Sequence, residues 1–329
     1  MSEISSNCKR RIVALAYPQV VLMDVAGPCE VFSMANHVSR RCGRPDPYAI
    51  ECVSISRTLR LESTSGLTLA AETDLSDCRG HVDTLLVPGG FNLDTVSTDP
   101  EVLDRLRAIA AQARRVASVC TGAFLLAKAG LLDGRSATTH WEDVQRLASE
   151  YPLVSVHPDR IYVKDGNIYT SAGVTAGIDM ALALVEEDLG KALAMRVART
   201  LVMYVHRSGG QSQMSTLLDA QATNHQPLRE LLVWASEHPN EDLSVERMAT
   251  RIHMSCRNFS RTFRRALGKT PARFVEGMRV DTARRLLEET DLQLDDIANA
   301  CGLGSSNSMR RSFVRVLGVS PSEYRGKIR

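Results

Sequence analysis

The stretch LGKTPARF at residues 267–274 returns as LGVSPSEY at residues 317–324, and this internal repeat decides how the C-terminal part of the chain folds. In each copy a glycine ends one helix. Thr270 or Ser320 then stands as N-cap directly before a proline at the first helical position. Two helices therefore begin at equivalent places, and the region is predicted to contain two matching helical motifs.

Upstream of each copy, apolar residues recur at helical spacing in two helices separated by a short turn. The apolar stripes of the first motif are Val245, Met248, Ala249 and Ile252, then Phe259, Phe263 and Leu267; those of the second are Leu294, Ile297, Ala298 and Cys301, then Met309, Phe313 and Leu317. The turns fall at residues 253–254 and 302–304. Each motif is thus a predicted helix-turn-helix.

Opposite these stripes, the second helix of each motif carries a face rich in arginine and amide side chains. The residues predicted to contact DNA are Arg257, Asn258, Arg261 and Arg264 in the first motif and Ser306, Asn307, Arg310 and Arg311 in the second, with Arg265 and Arg315 close by. Arginine and asparagine at the front of such a helix read guanine and adenine edges in a major groove. One helix of this kind is ordinarily a solvated charged face, but its repetition in matching frames favours DNA recognition.

Residues 226–329 resemble the AraC-type DNA-binding domain. The resemblance rests on residues 255–263, on the predicted helix over residues 271–289 with its core RVDTARRLL, and on the closing GVSPSEYR. It implies that the long middle helix holds two recognition helices in successive major grooves, and that promoter DNA and RNA polymerase are partners. The residues it assigns to base reading are Arg257 and Arg261 in one groove and Asn307 and Arg311 in the next.

Length, hydropathy and charge bound the rest of the chain. At 329 residues it should hold about two domains, and it lacks the run of about 20 apolar residues that a membrane span needs. The polar first eleven residues lack the apolar core of a signal peptide, so we expect a cytoplasmic protein. Residues 221–329 have 18 Lys and Arg against 13 Asp and Glu, a net charge of +5, whereas the preceding part has 22 against 25, a net charge of −3. The basic excess therefore lies in the predicted DNA-binding part.

The eight cysteines are scattered singly, without a C-x-x-C pair or a Cys/His spacing typical of zinc sites. We expect reduced thiols that mostly fill the core. No pattern indicates a metal or another cofactor. Only Cys120 has neighbours that suggest chemistry.

The first 207 residues alternate short apolar runs with helical stretches. Strands are predicted at residues 11–16, 49–54, 67–71, 82–87 and 116–119, and an antiparallel hairpin with an Asp-Gly turn at residues 160–171. Helices are predicted at residues 27–36, 100–110, 123–129, 142–149, 178–188 and 190–205. This alternation predicts an α/β doubly wound parallel sheet over residues 11–207, a linker over residues 208–225 and an all-α domain over residues 226–329.

Cys120 follows the strand over residues 116–119 directly and precedes Thr121-Gly122 at the start of a helix. Strand, tight turn and helix form the layout of a nucleophile elbow, with cysteine in the nucleophile's place. The geometry exposes the side chain at the carboxyl edge of the sheet. The helix N-terminus behind it favours a thiolate.

With the segment DVAGP around Asp24 and PGG at residues 88–90, the first part of the chain resembles the ThiJ/PfpI, or class I glutamine amidotransferase-like, superfamily. The closest catalytic pattern is that of isocyanide hydratases, which implies a site formed by Asp24, Cys120 and Thr121. Backbone amides near Gly90 and Thr121 are implied candidates for holding an oxyanion or a carboxylate. Superfamily proteases place His directly after the nucleophilic cysteine, and this sequence departs from them because Thr121 stands there.

The order of the two parts is similar to the GlxA-like branch of AraC-type regulators. The resemblance rests on VCTGAFLLA, ATTHW, TSAGVTAGIDMALALVEEDLG and GGQSQ, which begin at residues 119, 137, 170 and 209. It implies a transcriptional regulator, often an activator, whose first domain forms a homodimer and binds a small effector that is often nitrogen-bearing. The candidate ligand residues, at or near the carboxyl ends of predicted strands, are Asp24, Gly89, Gly90, Cys120, Thr121 and His140.

The alternative hypothesis is an enzyme, a hydratase or amidase that acts through Cys120 and carries a fused DNA-binding domain. Catalysis requires a base that activates the thiol and returns a proton, and Thr121 provides neither function. His140 could approach in space, although a lone histidine before a tryptophan is more often a packing or ligand-contact residue. A sensor without catalytic residues is therefore the favoured interpretation.

Overall fold

The computed structural model describes residues 9–91, 93, 99–203, 207, 209–210, 213, 225–317 and 319–328. The chain divides into two compact units, Met1–Gly209 and Gly210–Arg329. The predicted linker, residues 208–225, lies almost wholly outside the described residues. Among the helices that are described, none is long and apolar enough to cross a membrane.

A seven-stranded sheet with helices around it forms the first unit. Its elements in chain order are β1 (Arg10–Ala16), α1 (Leu22–Arg41), β2 (Tyr48–Ser54), β3 (Arg60–Glu62), β4 (Thr68–Ala70), β5 (Thr73–Asp74), β6 (Thr84–Val87), α2 (Pro100–Gln112), β7 (Arg115–Val119), α3 (Gly122–Lys128), β8 (Ser136–Ala137), α4 (Val144–Glu150), β9 (Ser155–Val156), β10 (Tyr162–Asp165), β11 (Ile168–Ser171), α5 (Thr175–Leu189) and α6 (Lys191–Thr200). β6 and β7 are buried throughout, which explains why their sequences are apolar runs and not alternating patterns.

The strand order is β10-β11-β7-β6-β1-β2-β5, and every pair is parallel except the β10–β11 hairpin. The crossovers β1-α1-β2 and β6-α2-β7 run in opposite directions from the middle of the sheet. Because such connections are right-handed, α1 and α2 lie on opposite faces. The predicted doubly wound α/β sheet is thereby confirmed. The order in which the chain adds strands reverses between β1 and β6. Doubly wound sheets bind ligands at this point, outside the carboxyl ends of the strands.

Four sequence predictions in this unit are wrong in detail. Helix α1 begins at Leu22 and not at the predicted Gly27. Pro28 therefore lies inside the helix, where it removes one backbone hydrogen bond but does not end the helix. β4 pairs with β3 in a separate antiparallel ribbon, outside the main sheet. Asp165 pairs with Ile168, so the two-residue hairpin loop is Gly166-Asn167. Helix α6 ends at Thr200; residues 204–205 of its predicted span lie outside the described residues.

The second unit is helical. Its elements are α7 (Gln226–Glu237), α8 (Val245–Arg251), α9 (Cys256–Leu267), α10 (Pro271–Glu289), α11 (Leu294–Ala300), α12 (Ser306–Leu317) and α13 (Pro321–Ile328). The first motif, α8 and α9, shares a core with α7 and with Phe274, Val275 and Met278 of α10. The second motif, α11 and α12, shares a separate core with α13 and with Val280, Ala283 and Leu287 of α10. The two predicted helix-turn-helix motifs are confirmed.

The caps predicted at Thr270 and Ser320 form, and Ser255, which was not predicted as a cap, caps α9 in the same way. The Ser255 and Thr270 hydroxyls accept hydrogen bonds from backbone amides three residues later, at 3.3 and 3.4 Å. At the start of α13, the Ser320 hydroxyl accepts from the Glu323 amide at 3.2 Å, and the Glu323 carboxylate accepts from the Ser320 amide at 2.7 Å. This reciprocal pair is a capping box, so the repeat at residues 267–274 and 317–324 starts a helix in each copy.

Candidate functional site

Asp24 lies in the first turn of α1, beside the carboxyl ends of the central strands, and is completely buried. Its Oδ2 accepts a hydrogen bond from the Gly89 amide at 3.1 Å, and its Oδ1 accepts one from the Val174 amide at 2.8 Å. The carboxylate therefore joins the loop after β6 to the loop before α5. Val174 was not predicted to belong to the site.

Burial raises the pKa of Asp24 from 3.8 to about 6. The two backbone amides, the charge of His140 and a hydrogen bond from the Cys120 thiol lower this pKa, but they offset burial only in part. The carboxyl group is therefore mostly ionised at neutral pH and takes up a proton in mildly acidic solution. A cation bound beside it would favour the ionised form further.

Cys120 has the backbone of the predicted elbow. Its φ is +56°, a left-handed conformation that costs a non-glycine residue of the order of 1–3 kcal/mol. Its amide donates to the Ser171 carbonyl at 2.9 Å, and its own carbonyl accepts from the Thr139 hydroxyl at 2.8 Å. Neighbouring strands and loops thus hold the strained turn in place.

The expected thiolate is not supported. Burial, with the nearby Asp24 carboxylate as the next cause, raises the pKa of Cys120 from 9.0 to about 12. Hydrogen bonds from Thr121 lower this pKa and do not overcome burial. The helix N-terminus favours the thiolate, whereas desolvation and a like charge both favour the neutral thiol and outweigh it.

The backbone amides expected to hold an oxyanion or a carboxylate have partners within the protein. The Gly89 amide donates to Asp24, and the Gly90 amide donates to the Thr121 hydroxyl oxygen at 3.0 Å. An oxyanion hole needs donors that point at the reacting oxygen. The Thr121 hydroxyl therefore closes the described start of the loop after β6, and the Gly89 and Gly90 amides are engaged within the protein and do not point at a ligand.

His140 lies at the edge of this cluster. Its side chain is 29% exposed, and its Nδ1 is 3.6 Å from the Glu142 carboxylate. Its influence on the pKa of Asp24 places it within electrostatic range of that carboxylate. Among the described hydrogen bonds, none joins His140 to Asp24 or to Cys120. The geometry therefore brings five of the six candidate residues into one connected group and leaves His140 at its rim.

Two further residues complete the cluster. Tyr17 is fully buried, its hydroxyl donates to the Pro88 carbonyl at 2.9 Å, and burial, with Asp24 and Cys120 as lesser causes, raises its pKa well above the usual value. Gly173 has a φ of +112°, and a Cβ there would lie 2.7 Å from the Cys120 Cβ. Only glycine allows the backbone at residue 173 to approach Cys120 so closely, so the glycine in this loop was the one feature of the sequence that could have indicated Gly173. Tyr17 gave none.

The candidate DNA interface lies on α9 and α12, whose buried and exposed sides separate as predicted. Phe259, Phe263, Met309 and Phe313 are completely buried. The exposed candidate residues are Arg257, Arg261, Arg264, Asn307, Arg310 and Arg311, and the half-buried ones are Asn258 and Ser306. Each helix therefore presents its basic and amide face to solvent.

Local contacts arrange this interface. Arg261 donates to the Asn258 side chain and Arg311 to the Ser308 hydroxyl, both at 3.1 Å, in equivalent positions of the repeat. The Ser306 amide donates to Asp295 at 2.9 Å, which fixes the front of α12. Arg315 is exposed as expected, and it also pairs with Glu276 of α10 at 2.9 Å.

Comparison with known proteins agrees with both units. Residues 10–187 match the DJ-1/PfpI family. The chain belongs to the DJ-1/PfpI family. Residues 248–327 of this DJ-1/PfpI protein also match a helix-turn-helix domain family. It is therefore one of the DJ-1/PfpI proteins with an AraC-type helix-turn-helix domain, as the sequence resemblance implied.

Three relatives of this DJ-1/PfpI protein bear on its function. "HTH-type transcriptional regulator CdhR" of Pseudomonas aeruginosa is 34% identical over 243 residues, 74% of this chain and 72% of the relative. "HTH-type transcriptional regulator GlxA" of Rhizobium meliloti is 29% identical over 319 residues, 96% of this chain and 95% of the relative. "Isonitrile hydratase" of Pseudomonas putida is 39% identical over 178 residues, but that match covers only 54% of this chain and 71% of the relative. The regulators span both units, which confirms the prediction of a regulator over an enzyme.

A solved structure agrees on the fold. The crystal structure of a ThiJ/PfpI family protein from Pseudomonas syringae has a TM-score of 0.54 and 24% identity, and it covers 72% of this chain and 90% of that chain. At this identity the likeness concerns the fold alone. It agrees with the α/β sheet of the first unit.

Proposed function

We propose that this DJ-1/PfpI protein is a sequence-specific DNA-binding transcriptional activator that responds to a small nitrogen-bearing metabolite. The observation that carries the proposal is the repeated recognition helix. α9 and α12 each bury two large apolar side chains and expose a basic face in the same frame. Two such faces suit successive major grooves.

The base-reading residues in this proposal are Arg257 and Arg261 in one groove and Asn307 and Arg311 in the next. Asn258, Arg264, Ser306 and Arg310 flank them. Arg261 and Arg311 each have a neighbouring side chain that orients the guanidinium. A guanidinium held in this way is suited to a bidentate contact with guanine.

The effector in this proposal binds beside Asp24, with a cationic nitrogen near the carboxylate. Asp24 carries the negative charge of the cluster, because the Cys120 thiol is neutral at physiological pH. Three exposed apolar side chains, Met23, Phe91 and Trp141, directly adjoin candidate residues in the sequence. Aromatic faces attract cations, so Phe91 and Trp141 favour an effector that carries an amine.

Assembly completes the proposal. The relatives named as transcriptional regulators and the resemblance to dimerising sensor domains favour a homodimer that acts with RNA polymerase at a promoter. An effector changes DNA binding only if its affinity differs between two states of the protein. The sensor therefore needs no turnover.

The first test replaces Arg261 or Arg311 with alanine in the full chain. In vitro selection from random duplexes first supplies a specific site. Each substitution should then weaken binding to that site by about 1–3 kcal/mol and relax base preference in its own half alone. Arg229→Ala is the matched control, because Arg229 is exposed on α7 and outside both motifs. Equal weakening on all sequences by both variants would reduce these arginines to phosphate contacts.

The second test separates sensor from enzyme. Cys120→Ser should leave effector-dependent activation of a reporter intact or change only the effector concentration required. The same purified wild-type protein is assayed for hydration of an isonitrile, the activity in the name of one relative. A turnover that Cys120→Ser abolishes would establish the enzyme alternative instead.

A further inference from the structure

Arg279 stands where α10 passes from one helical core to the other. Met278 belongs to the core of the first motif and Val280 to the core of the second. The Arg279 Nε donates to the Pro239 carbonyl at 2.8 Å, and its Nη2 donates to the Glu241 carbonyl at 2.7 Å. Both carbonyls lie in the loop between α7 and α8. The guanidinium therefore ties the crossing point of α10 to the loop that leads into the first motif.

The turn of the second motif packs on the same point. Gly302 lies between α11 and α12 with a φ of +71°. A Cβ there would overlap the Pro239 carbonyl oxygen and lie 2.9 Å from the Nε of Arg279. Only a residue without a side chain fits, so this turn rests directly on the Pro239–Arg279 pair. One arginine thus contacts parts of both motifs.

A second tie joins α10 to the recognition helix α12. Glu276, one turn before Arg279, accepts a hydrogen bond from the Ser312 hydroxyl and pairs with Arg315, both at 2.9 Å. Glu276 lies in the part of α10 that packs in the first core, between Phe274 and Met278. The second recognition helix is therefore bound to the part of α10 that belongs to the first motif.

We propose that these two ties make α9 and α12 a single rigid reader, and that Arg279 is the positioning residue that restricts the protein to one half-site spacing. The inference rests on the proposed DNA-binding function. Without the ties, α10 could bend or twist where it passes between the two cores. The planar guanidinium directs two donors at two carbonyls, which a lysine ammonium does not reproduce.

The test is selection from a random duplex library with full-length wild-type protein and with Arg279→Gln and Arg279→Lys. Wild-type sites should share one half-site spacing, and lengthening or shortening it by one base pair should weaken binding about tenfold. Both variants should select the same half-site sequences at several spacings and reduce that discrimination to about threefold or less. Arg285→Gln, exposed on the same helix, should behave as wild type.

Glu276→Ala provides an independent variant, because it removes only the acceptor of the second tie and should also broaden the accepted spacing. Circular dichroism and melting of every variant identify any that fails to fold. If folded Arg279 and Glu276 variants keep the wild-type spacing, the inference is wrong while the proposed function stands. It is also wrong if Arg279→Lys binds as wild type and Arg279→Gln weakens all sites equally, as a phosphate contact would. If wild-type protein selects no two-part sequence, the proposed function fails first.

Discussion

Asp24 is completely buried and accepts hydrogen bonds from two backbone amides. Burial favours the neutral carboxyl group, whereas the two amides favour the carboxylate. Burial is the larger effect, so the carboxyl group has a pKa of about 6. A group poised this close to neutrality responds to small changes around it. A ligand that brings a positive charge would hold it ionised, and loss of that ligand would allow it to protonate in mildly acidic solution.

Asp24 should make the folded protein less stable as pH rises from about 4 to about 6. The folded state binds this proton up to the higher pKa, and the unfolded state releases it near 3.8. Stability therefore falls across this window by about 3 kcal/mol and stays at the lower value above it. The measurement is denaturant unfolding of wild type and Asp24→Asn from pH 4 to 8. Their difference in unfolding free energy isolates this group, and a difference independent of pH would contradict the raised pKa.

Cys120 should react slowly with alkylating agents in spite of its elbow geometry. At pH 8 a thiol with a pKa of about 12 has roughly a thousandfold less thiolate than one at 9.0. Cys256 is exposed and provides an internal reference in the same molecule. Peptide mass spectrometry after timed iodoacetamide treatment should detect modification of Cys256 long before Cys120. Faster labelling of Cys120 than of Cys256 would contradict the raised pKa and show that Cys120 is a reactive thiol.

Among the elements, sequence period and caps predicted most of what the structure contains. The helix-turn-helix motifs and the strand-turn-helix around Cys120 are local patterns, so their residues are near neighbours in the sequence. The bond from Val174 to Asp24 joins residues 150 positions apart, and no local pattern announces it. No local pattern announces the ion pair between the completely buried Asp179 and Arg207 either, whose side chains are 2.6 Å apart. Site residues that follow strands were predictable, whereas the partners that fix their charge and geometry were not.

Two glycines of the second unit provide a matched test of element-level stability, since neither has a neighbour that an added Cβ would touch. Gly268 ends α9 with a φ of +68°, and Gly277 lies inside α10. Gly268→Ala should destabilise by about 1–2 kcal/mol because of left-handed strain. Gly277→Ala should stabilise by roughly 0.5–1 kcal/mol because alanine favours a helix. Thermal melting of the full chain should show shifts of the melting temperature that are opposite in sign. Shifts of the same sign would contradict the left-handed backbone of Gly268 at the end of α9.

At the scale of the whole molecule, charge separates the two halves of the chain. The net charge of +5 on residues 221–329 falls where DNA would bind, and the net charge of −3 on the preceding part does not favour phosphate. The side chains divide in the same way. The cluster around the buried Asp24 carboxylate lies in the first unit, and the exposed arginine faces lie in the second. The two units therefore differ in the charge that they offer, as the proposed division between effector binding and DNA binding requires.

Assembly of two chains gives the last prediction. If one chain places its two recognition helices in grooves about 34 Å apart, a homodimer should occupy two copies of a two-part site in repeat. Sedimentation of the full chain should give a species of twice 36.1 kDa at micromolar concentration. A duplex with both copies should then bind at least about tenfold more tightly than one whose second copy is scrambled, because the second contact becomes intramolecular. A 36.1 kDa species that binds both duplexes equally would show that the regulator works as a monomer.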